Sequence, residues 1–235
     1  MEITTAGDSA LILRVCEDAE AASESCGSVI FGACERLRAA RIPGVVEIAP
    51  AYASVGIFYD PLRLAAGDGD AVEQLSARIL SVVAGRRAAK PSGKSRKIKI
   101  PVCCERDFAR DLDEGAAHAG ITMDAFISRY CAVEYRVRCV GFTPGFPYLT
   151  GLPPELRLPR RGTPRQAVPA GSVAIGGVQT GIYPAASPGG WNVIGRTPLP
   201  LFSVGREEPS LLRAGDRVRF VRISSAQFEQ WNDEH

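Results

Sequence analysis

In the first third of the chain, the pattern of hydrophobic and polar positions is typical of β-strands in some segments and of helices in others. Short apolar runs at 10–15 and 53–59 predict β-strands. Apolar residues at helical spacing predict helices over 22–41 and 69–84, and Asp70 is placed to cap the second helix. The order strand, helix, strand, helix indicates a small α+β layer with its helices on one face of a sheet.

The rest of the chain begins with another short alternating run, at 97–102, which predicts a strand. Two short helices are predicted over 107–119 and 122–131, followed by strands that include 135–139 and 217–220. Short strands separated by glycine and proline are typical of a β-barrel or a sandwich.

A basic stretch separates the two patterns. Residues 85–99, GRRAAKPSGKSRKIK, contain seven cations and no acid. Such a composition predicts a solvated linker at about 85–97, between a domain over 1–90 and a second over 91–235. The alternative is a nucleic-acid-binding patch, but no aromatic residue interrupts the cations to stack on a base. We therefore expect no nucleic-acid partner.

Composition adds few constraints. The 235 residues are 46% hydrophobic with a net charge of +2, enough to bury two modest cores and without an obligatory polyanionic partner. No apolar run reaches the roughly 20 residues that span a bilayer, and the first residues do not resemble a signal peptide. We expect a cytoplasmic protein with no membrane contact.

The seven cysteines and two histidines show no metal-binding or disulfide-framework spacing. We expect no metal site and interpret most thiols as small buried hydrophobic groups.

Residues 141–200 contain 11 of the 17 prolines, 11 of the 24 glycines, five arginines and only one acid, Glu155. Glycine and proline fix loop shapes, and arginine binds carboxylate or phosphate through two parallel hydrogen bonds. The segment therefore predicts an anion-binding cradle. The alternative is a glycine-rich barrel rim whose arginines are only solvated.

Aromatic and polar side chains complete the candidate site. Gln179 and Thr180 lie in the turn GGVQTG, where an amide and a hydroxyl can bind a small polar substrate, although Gln179 can instead tie loop backbones together. The aromatic residues form either an apolar wall or plain core. The candidate substrate-binding or anion-binding residues are Phe142, Pro144, Phe146, Arg160, Arg161, Arg165, Gln179, Thr180, Tyr183 and Arg196.

Several catalytic motifs are missing from the sequence. There is no phosphate-binding loop with its lysine, no G-x-S-x-G nucleophile elbow and no histidine between residues 119 and 234. No lysine lies between methionines, so we expect no covalent biotin on this chain. No catalytic residue is assigned.

Four motifs carry a resemblance to a known family. They are GFTPGFPYL at 141–149, PRRGTPR at 159–165, VPAGSVAIGGVQTGIYP at 168–184 and SPGGWNVIGRTPLPLF at 187–202. Together they resemble the B-subunit family of 5-oxoprolinase, which also includes a sporulation-kinase inhibitor and proteins labelled allophanate hydrolase subunit 1. The resemblance continues upstream through 7–13 and 43–61. It implies an α+β fold, with a small N-terminal α+β domain followed by a cyclophilin-like β-barrel domain.

The resemblance also implies a function. It implies a non-autonomous subunit of an ATP-dependent 5-oxoprolinase, which converts 5-oxo-L-proline to L-glutamate while ATP becomes ADP and phosphate. C-type and A-type subunits are the implied partners. The alternatives are a regulatory protein that inhibits a sensor histidine kinase and a carboxyltransferase-type component of urea or allophanate metabolism.

One position departs from the family pattern. Where family members commonly have a histidine, five residues before Tyr135, this chain has Tyr130. A phenol titrates near pH 10, so Tyr130 is a poor general base at neutral pH. Tyr130 and His118 remain possible auxiliary residues, and His118 is otherwise a helix cap or a packing residue.

Overall fold

The computed structural model describes residues 1–16, 24–64, 70–85 and 95–234. The chain divides into two compact units, Met1–Lys94 and Ser95–His235. Most of the linker predicted at about 85–97 lies outside the described residues.

The first unit packs two helices against a four-stranded antiparallel sheet of order β1-β2-β4-β3. Its elements are β1 (Glu2–Thr5), β2 (Ala10–Arg14), α1 (Glu24–Ala40), β3 (Val45–Pro50), β4 (Ser54–Tyr59) and α2 (Ala71–Ala84), with a single 3₁₀ turn at Pro61–Arg63.

Most of the predicted periodicity of this unit is confirmed. Ile30 and Leu37 of α1 pack with Ile79 of α2 in one core, and the Asp70 side chain accepts from the backbone N–H of Val72 at the start of α2. Helix α1 ends at Ala40, one residue before the predicted end, and Arg41 has a left-handed backbone with φ 43°.

The second unit is built on a barrel. Its elements are β5 (Lys97–Cys103), α3 (Leu112–His118), α4 (Met123–Ala132), β6 (Tyr135–Val140), β7 (Pro147–Thr150), a 3₁₀ turn (Pro154–Leu156), β8 (Arg165–Val168), β9 (Ser172–Gly176), β10 (Gln179–Ile182), β11 (Ser187–Gly189), β12 (Asn192–Arg196), β13 (Arg217–Ile223) and α5 (Ser225–Glu234). Seven strands close in the order β10-β7-β6-β13-β5-β12-β9, while β8 and β11 pair separately. The predicted α+β class with a β-barrel is confirmed.

Strand β9 separates two clusters of buried side chains. Val173 and Ile175 belong to the large core of the barrel unit, whereas Ala174 belongs to a smaller cluster with Phe146 and Trp191. Because side chains alternate along a strand, the smaller cluster lies on the opposite face of β9. The candidate site forms on this second face.

Two of the cysteines overturn an expectation. Cys16 and Cys26 form a disulfide, with Cα atoms 6.4 Å apart, although their spacing gives no framework pattern. The bond depends on how β2 and α1 meet in space, which spacing does not reveal. The other thiols are buried or half-buried, and burial raises the pKa of Cys34 to about 11 and that of Cys104 to about 12.

The carboxylate of Asp111 ties the loops of the barrel unit together. Asp111 is only 2% exposed. It accepts hydrogen bonds from Arg161 at 2.8 Å, from Arg165 at 2.6 and 2.8 Å, and from the backbone N–H of Val193 at 2.7 Å. Its own N–H donates to the Val193 carbonyl at 2.9 Å. This clamp joins the start of α3 to β12 and to the loop that enters β8.

We predict that Asp111→Ala lowers the free energy of unfolding of the barrel unit by about 3–5 kcal/mol, because two guanidinium groups lose a buried counter-charge. The matched control is Asp113→Ala, two residues along, whose contact with Arg106 is at the surface and should contribute less than about 1 kcal/mol. Denaturant unfolding of both variants measures the difference. Equal losses in the two variants would refute the clamp.

Candidate functional site

The smaller cluster opens into a pocket of about 410 Å³. We call it the aromatic pocket; its lining residues are Phe142, Phe146, Tyr148, Arg160, Arg161, Pro164, Tyr183, Pro188, Gly189, Gly190 and Trp191. Its volume and mixed lining suit a small ligand with an apolar body and few polar groups.

Phe146 is at the centre of the aromatic wall. Its ring centroid lies 4.8 Å from that of Tyr148, 5.3 Å from that of Tyr183 and 5.6 Å from that of Trp191. The contacts with Tyr183 and Trp191 are edge-to-face, the arrangement that aromatic quadrupoles favour. Rings that restrain one another in this way form a wall of fixed shape.

Glycines allow these rings to lie against the backbone. A Cβ atom on Gly176 would fall 2.4 Å from the Trp191 ring, and one on Gly189 would fall 2.3 Å from the Tyr183 hydroxyl oxygen. Neither backbone position can move away freely, since both belong to paired strands. Part of the glycine density of this segment is therefore explained by close packing of aromatic rings.

The tyrosines of the pocket supply neutral hydroxyl groups. Burial raises the pKa of Tyr148. Burial also raises the pKa of Tyr183, against a smaller lowering by a hydrogen bond from the Trp191 backbone. Both phenols stay protonated at neutral pH, so they offer polar contacts without a negative charge.

Arg161 and Arg165 are not the un-neutralised cations that the sequence predicts. Their acid, Asp111, precedes them by 50 and 54 residues and lies outside the acid-poor segment. Arg165 does not line the aromatic pocket. Arg196 is also engaged elsewhere, since it donates to the Ala170 carbonyl at 2.7 Å and lies over the Phe228 ring.

Arg160 differs from these arginines. It is exposed, lines the aromatic pocket and makes no hydrogen bond or ion pair with any residue that the structure describes. Arg160 lines the same pocket as Tyr148 and Tyr183. Next to it, the Nε–H of Arg161 is buried without an acceptor among the described residues. The pocket therefore offers the guanidinium of Arg160, which has no partner among the described residues.

Thr180 and Tyr130 belong to the barrel core. Thr180 donates to the Ala174 carbonyl at 2.8 Å and accepts from the Tyr130 hydroxyl at 2.7 Å, because its single proton is already used. Burial raises the pKa of Tyr130 well above its ordinary value, despite the hydrogen bond with Thr180. Tyr130 is thus a buried, neutral packing residue that braces β10.

The remaining candidates lie outside the aromatic pocket. Gln179 is buried on β10 and does not line it, while Pro144 and His118 are exposed. The pocket brings together these sequence candidates: Phe142, Phe146, Arg160, Arg161 and Tyr183. Sequence reasoning omitted Trp191, which stands in the sequence as one aromatic among several, and Asp111, which no motif marks.

No metal centre is evident within the described ranges, where no group of three or more His, Cys, Asp and Glu side chains converges. None of the described helices is long and apolar enough to cross a membrane.

The chain resembles curated proteins along nearly its whole length. It is 36% identical over 237 residues to the 5-oxoprolinase B subunit of Bacillus subtilis, covering 99% of this chain and 97% of that protein. It is 46% identical to the 5-oxoprolinase B subunit of Escherichia coli O157:H7, covering 77% of this chain and 79% of the relative.

Several solved structures share the fold of this chain. The protein TTHA0988 is 38% identical with a TM-score of 0.74, covering 92% of this chain, which spans only 40% of that longer protein. PH0987 from Pyrococcus horikoshii is 36% identical with a TM-score of 0.56, covering 97% of this chain and 100% of that one. Urea amidolyase of K. lactis, at 20% identity and a TM-score of 0.75, shares the fold over 97% of this chain and 15% of its own.

Residues 1–212 match the family described as carboxyltransferase domain, subdomain C and D. With the full-length match to the Bacillus subtilis protein, this shows that the chain belongs to the B-subunit family of 5-oxoprolinase within that carboxyltransferase-domain family.

Proposed function

We propose that this chain is the B-type subunit of an ATP-dependent 5-oxoprolinase and that its aromatic pocket binds 5-oxo-L-proline. The observation that carries the proposal is the pairing of a fixed aromatic wall with the free guanidinium of Arg160. 5-Oxo-L-proline has matching chemistry, a nearly flat five-membered lactam ring with one carboxylate. The full-length similarity to the Bacillus subtilis 5-oxoprolinase protein supports the same substrate.

Each part of the pocket has a role in this proposal. Arg160 binds the carboxylate through two parallel hydrogen bonds, a geometry that lysine cannot reproduce. The rings of Phe146 and Trp191 hold the lactam ring and exclude water from one side of it. The neutral hydroxyl group of Tyr183 donates to the lactam carbonyl in this arrangement.

We place ATP outside this pocket, as a co-substrate of the assembled complex. A triphosphate carries several negative charges and is normally bound by several cations or backbone N–H groups, whereas only Arg160 among the pocket arginines is free of an acid within the described part of the chain. ATP serves the reaction by activating the lactam, and this chain contributes binding and orientation. C-type and A-type subunits complete the enzyme.

Carboxyl transfer is the second candidate function. The matching family is described as a carboxyltransferase domain, and a putative urea carboxylase of Emericella nidulans is 27% identical over 51% of this chain and 10% of its own length. Carboxyl transfer of that kind would require a biotinylated partner. Loss of the activity of the complex after avidin treatment would favour it over ATP-dependent lactam hydrolysis.

We expect the purified chain to release no glutamate from 5-oxo-L-proline, with or without ATP. Its described thiols are buried or half-buried and the pKa values of Cys103, Cys104 and Cys131 are raised by burial, so none of them is an activated nucleophile. Adding the C-type and A-type subunits should restore ATP-dependent glutamate release, measured by an enzyme-coupled glutamate assay. Turnover by the chain alone would refute the non-autonomous role.

We expect Arg160→Gln to lower kcat/KM of the reconstituted enzyme by about 10–150-fold, since hydrogen bonds to a charged group contribute about 1.5–3 kcal/mol. The matched control is Arg157→Gln, because Arg157 is also exposed in the same segment but does not line the pocket. Steady-state kinetics and calorimetric binding of 5-oxo-L-proline measure both variants. Equal effects of the two substitutions would exclude Arg160 as the carboxylate ligand.

A further inference from the structure

Phe142 combines two features that are unfavourable for folding. Its backbone is left-handed, with φ 70°, and its side chain is 65% exposed. A bulky residue is rare in that backbone region and is strained there, while an exposed phenyl ring gains little from burial. Strain of this kind persists where the surroundings impose it, and it is concentrated at binding sites.

The surrounding loop holds Phe142 in this left-handed conformation. The Gly141 N–H donates to the Phe146 carbonyl at 3.0 Å, and the Phe146 N–H donates to the Thr143 carbonyl at 3.0 Å. On the same loop, a Cβ atom on Gly145 would lie 2.6 Å from Cβ of Phe202. The loop is therefore hydrogen-bonded internally and packed closely against its neighbour, so the conformation of Phe142 is fixed from both sides.

The ring of Phe142 lies at the rim of the aromatic pocket. It meets Phe146 edge-on, with centroids 5.6 Å apart and planes at 79°. Phe146 is itself buried and held by three other rings, so its position does not require Phe142. The outer face of Phe142 is thus available to whatever occupies the pocket.

We propose that Phe142 determines the specificity of the aromatic pocket for cyclic ligands, by packing its exposed ring against the ring of a small cyclic carboxylate. Arg160 recognises the carboxylate of any such acid, whereas Phe142 distinguishes a flat ring from an open chain. The inference rests on the proposed function for the identity of the ligand, 5-oxo-L-proline.

The test compares two ligands that share an amide and a carboxylate. 5-Oxo-L-proline has the ring, and N-acetyl-L-alanine is an acyclic counterpart. Calorimetry on the full chain should show that Phe142→Gly weakens the binding of 5-oxo-L-proline by about tenfold or more and that of N-acetyl-L-alanine by less than about threefold. Phe142→Tyr, which keeps the ring, should stay within about threefold of the wild type for both ligands.

Stability separates a binding role from a packing role. Glycine adopts a left-handed backbone without strain, so the melting temperature of Phe142→Gly should equal or exceed that of the wild type. Val204→Gly is the control, because Val204 is 86% exposed and does not line the pocket. It should leave both affinities unchanged.

Three results would overturn the inference. They are equal losses for the two ligands, binding of 5-oxo-L-proline by Phe142→Gly within about twofold of the wild type, and a loss that accompanies a lower melting temperature. If Phe142→Gly binds the ligand normally but does not assemble with the other subunits, Phe142 contacts a partner subunit instead.

Binding of a second ligand, pyrrole-2-carboxylate, tests the role of Phe142 separately from the proposed substrate. If the wild type binds this flat cyclic acid but not 5-oxo-L-proline, the proposed function fails, and loss of binding in Phe142→Gly still supports the role of Phe142. If the wild type binds neither acid, both proposals fail.

Discussion

The buried carboxylate of Asp111 is the constraint on which the geometry of the site depends. It holds Arg161, Arg165 and the backbone of Val193 with charge-assisted hydrogen bonds, and it does so from the start of a different element, α3. A buried carboxylate is tolerated because the two guanidinium groups compensate its charge. The loop that carries Arg160 is consequently fixed beside the aromatic wall.

This clamp gives neighbouring arginines different roles. Arg165 binds Asp111 through both Nη atoms and Arg161 binds it through Nη1, so both arginines support the loop. Arg160 has no such partner among the described residues and lines the pocket together with Tyr148 and Tyr183. One anion-binding group beside a rigid apolar wall selects for a small monocarboxylate better than a cluster of cations would, because a cluster also attracts phosphates.

The sequence predicts what depends on local pattern. The core stripes of α1 and α2, the Asp70 cap and the barrel strands at 97–102 and 135–139 follow from periodicity and capping chemistry. The motifs between 141 and 200 also locate the pocket. These motifs do not predict which arginines bind an acid and which one lines the pocket without such a partner. The acid, Asp111, lies 50 residues before Arg161 in the sequence and belongs to no motif. The Cys16–Cys26 disulfide and α5 are missed because both depend on tertiary packing.

A crystal structure of the chain soaked with 5-oxo-L-proline is the sharpest test of whether the aromatic pocket binds a small cyclic carboxylate through Arg160. We expect carboxylate oxygens within about 3 Å of the Arg160 guanidinium, the ring against Phe146 and Trp191, and the Asp111 clamp unchanged. A ligand bound elsewhere, or one that displaces Asp111 to reach Arg161 and Arg165, would contradict this mode of binding.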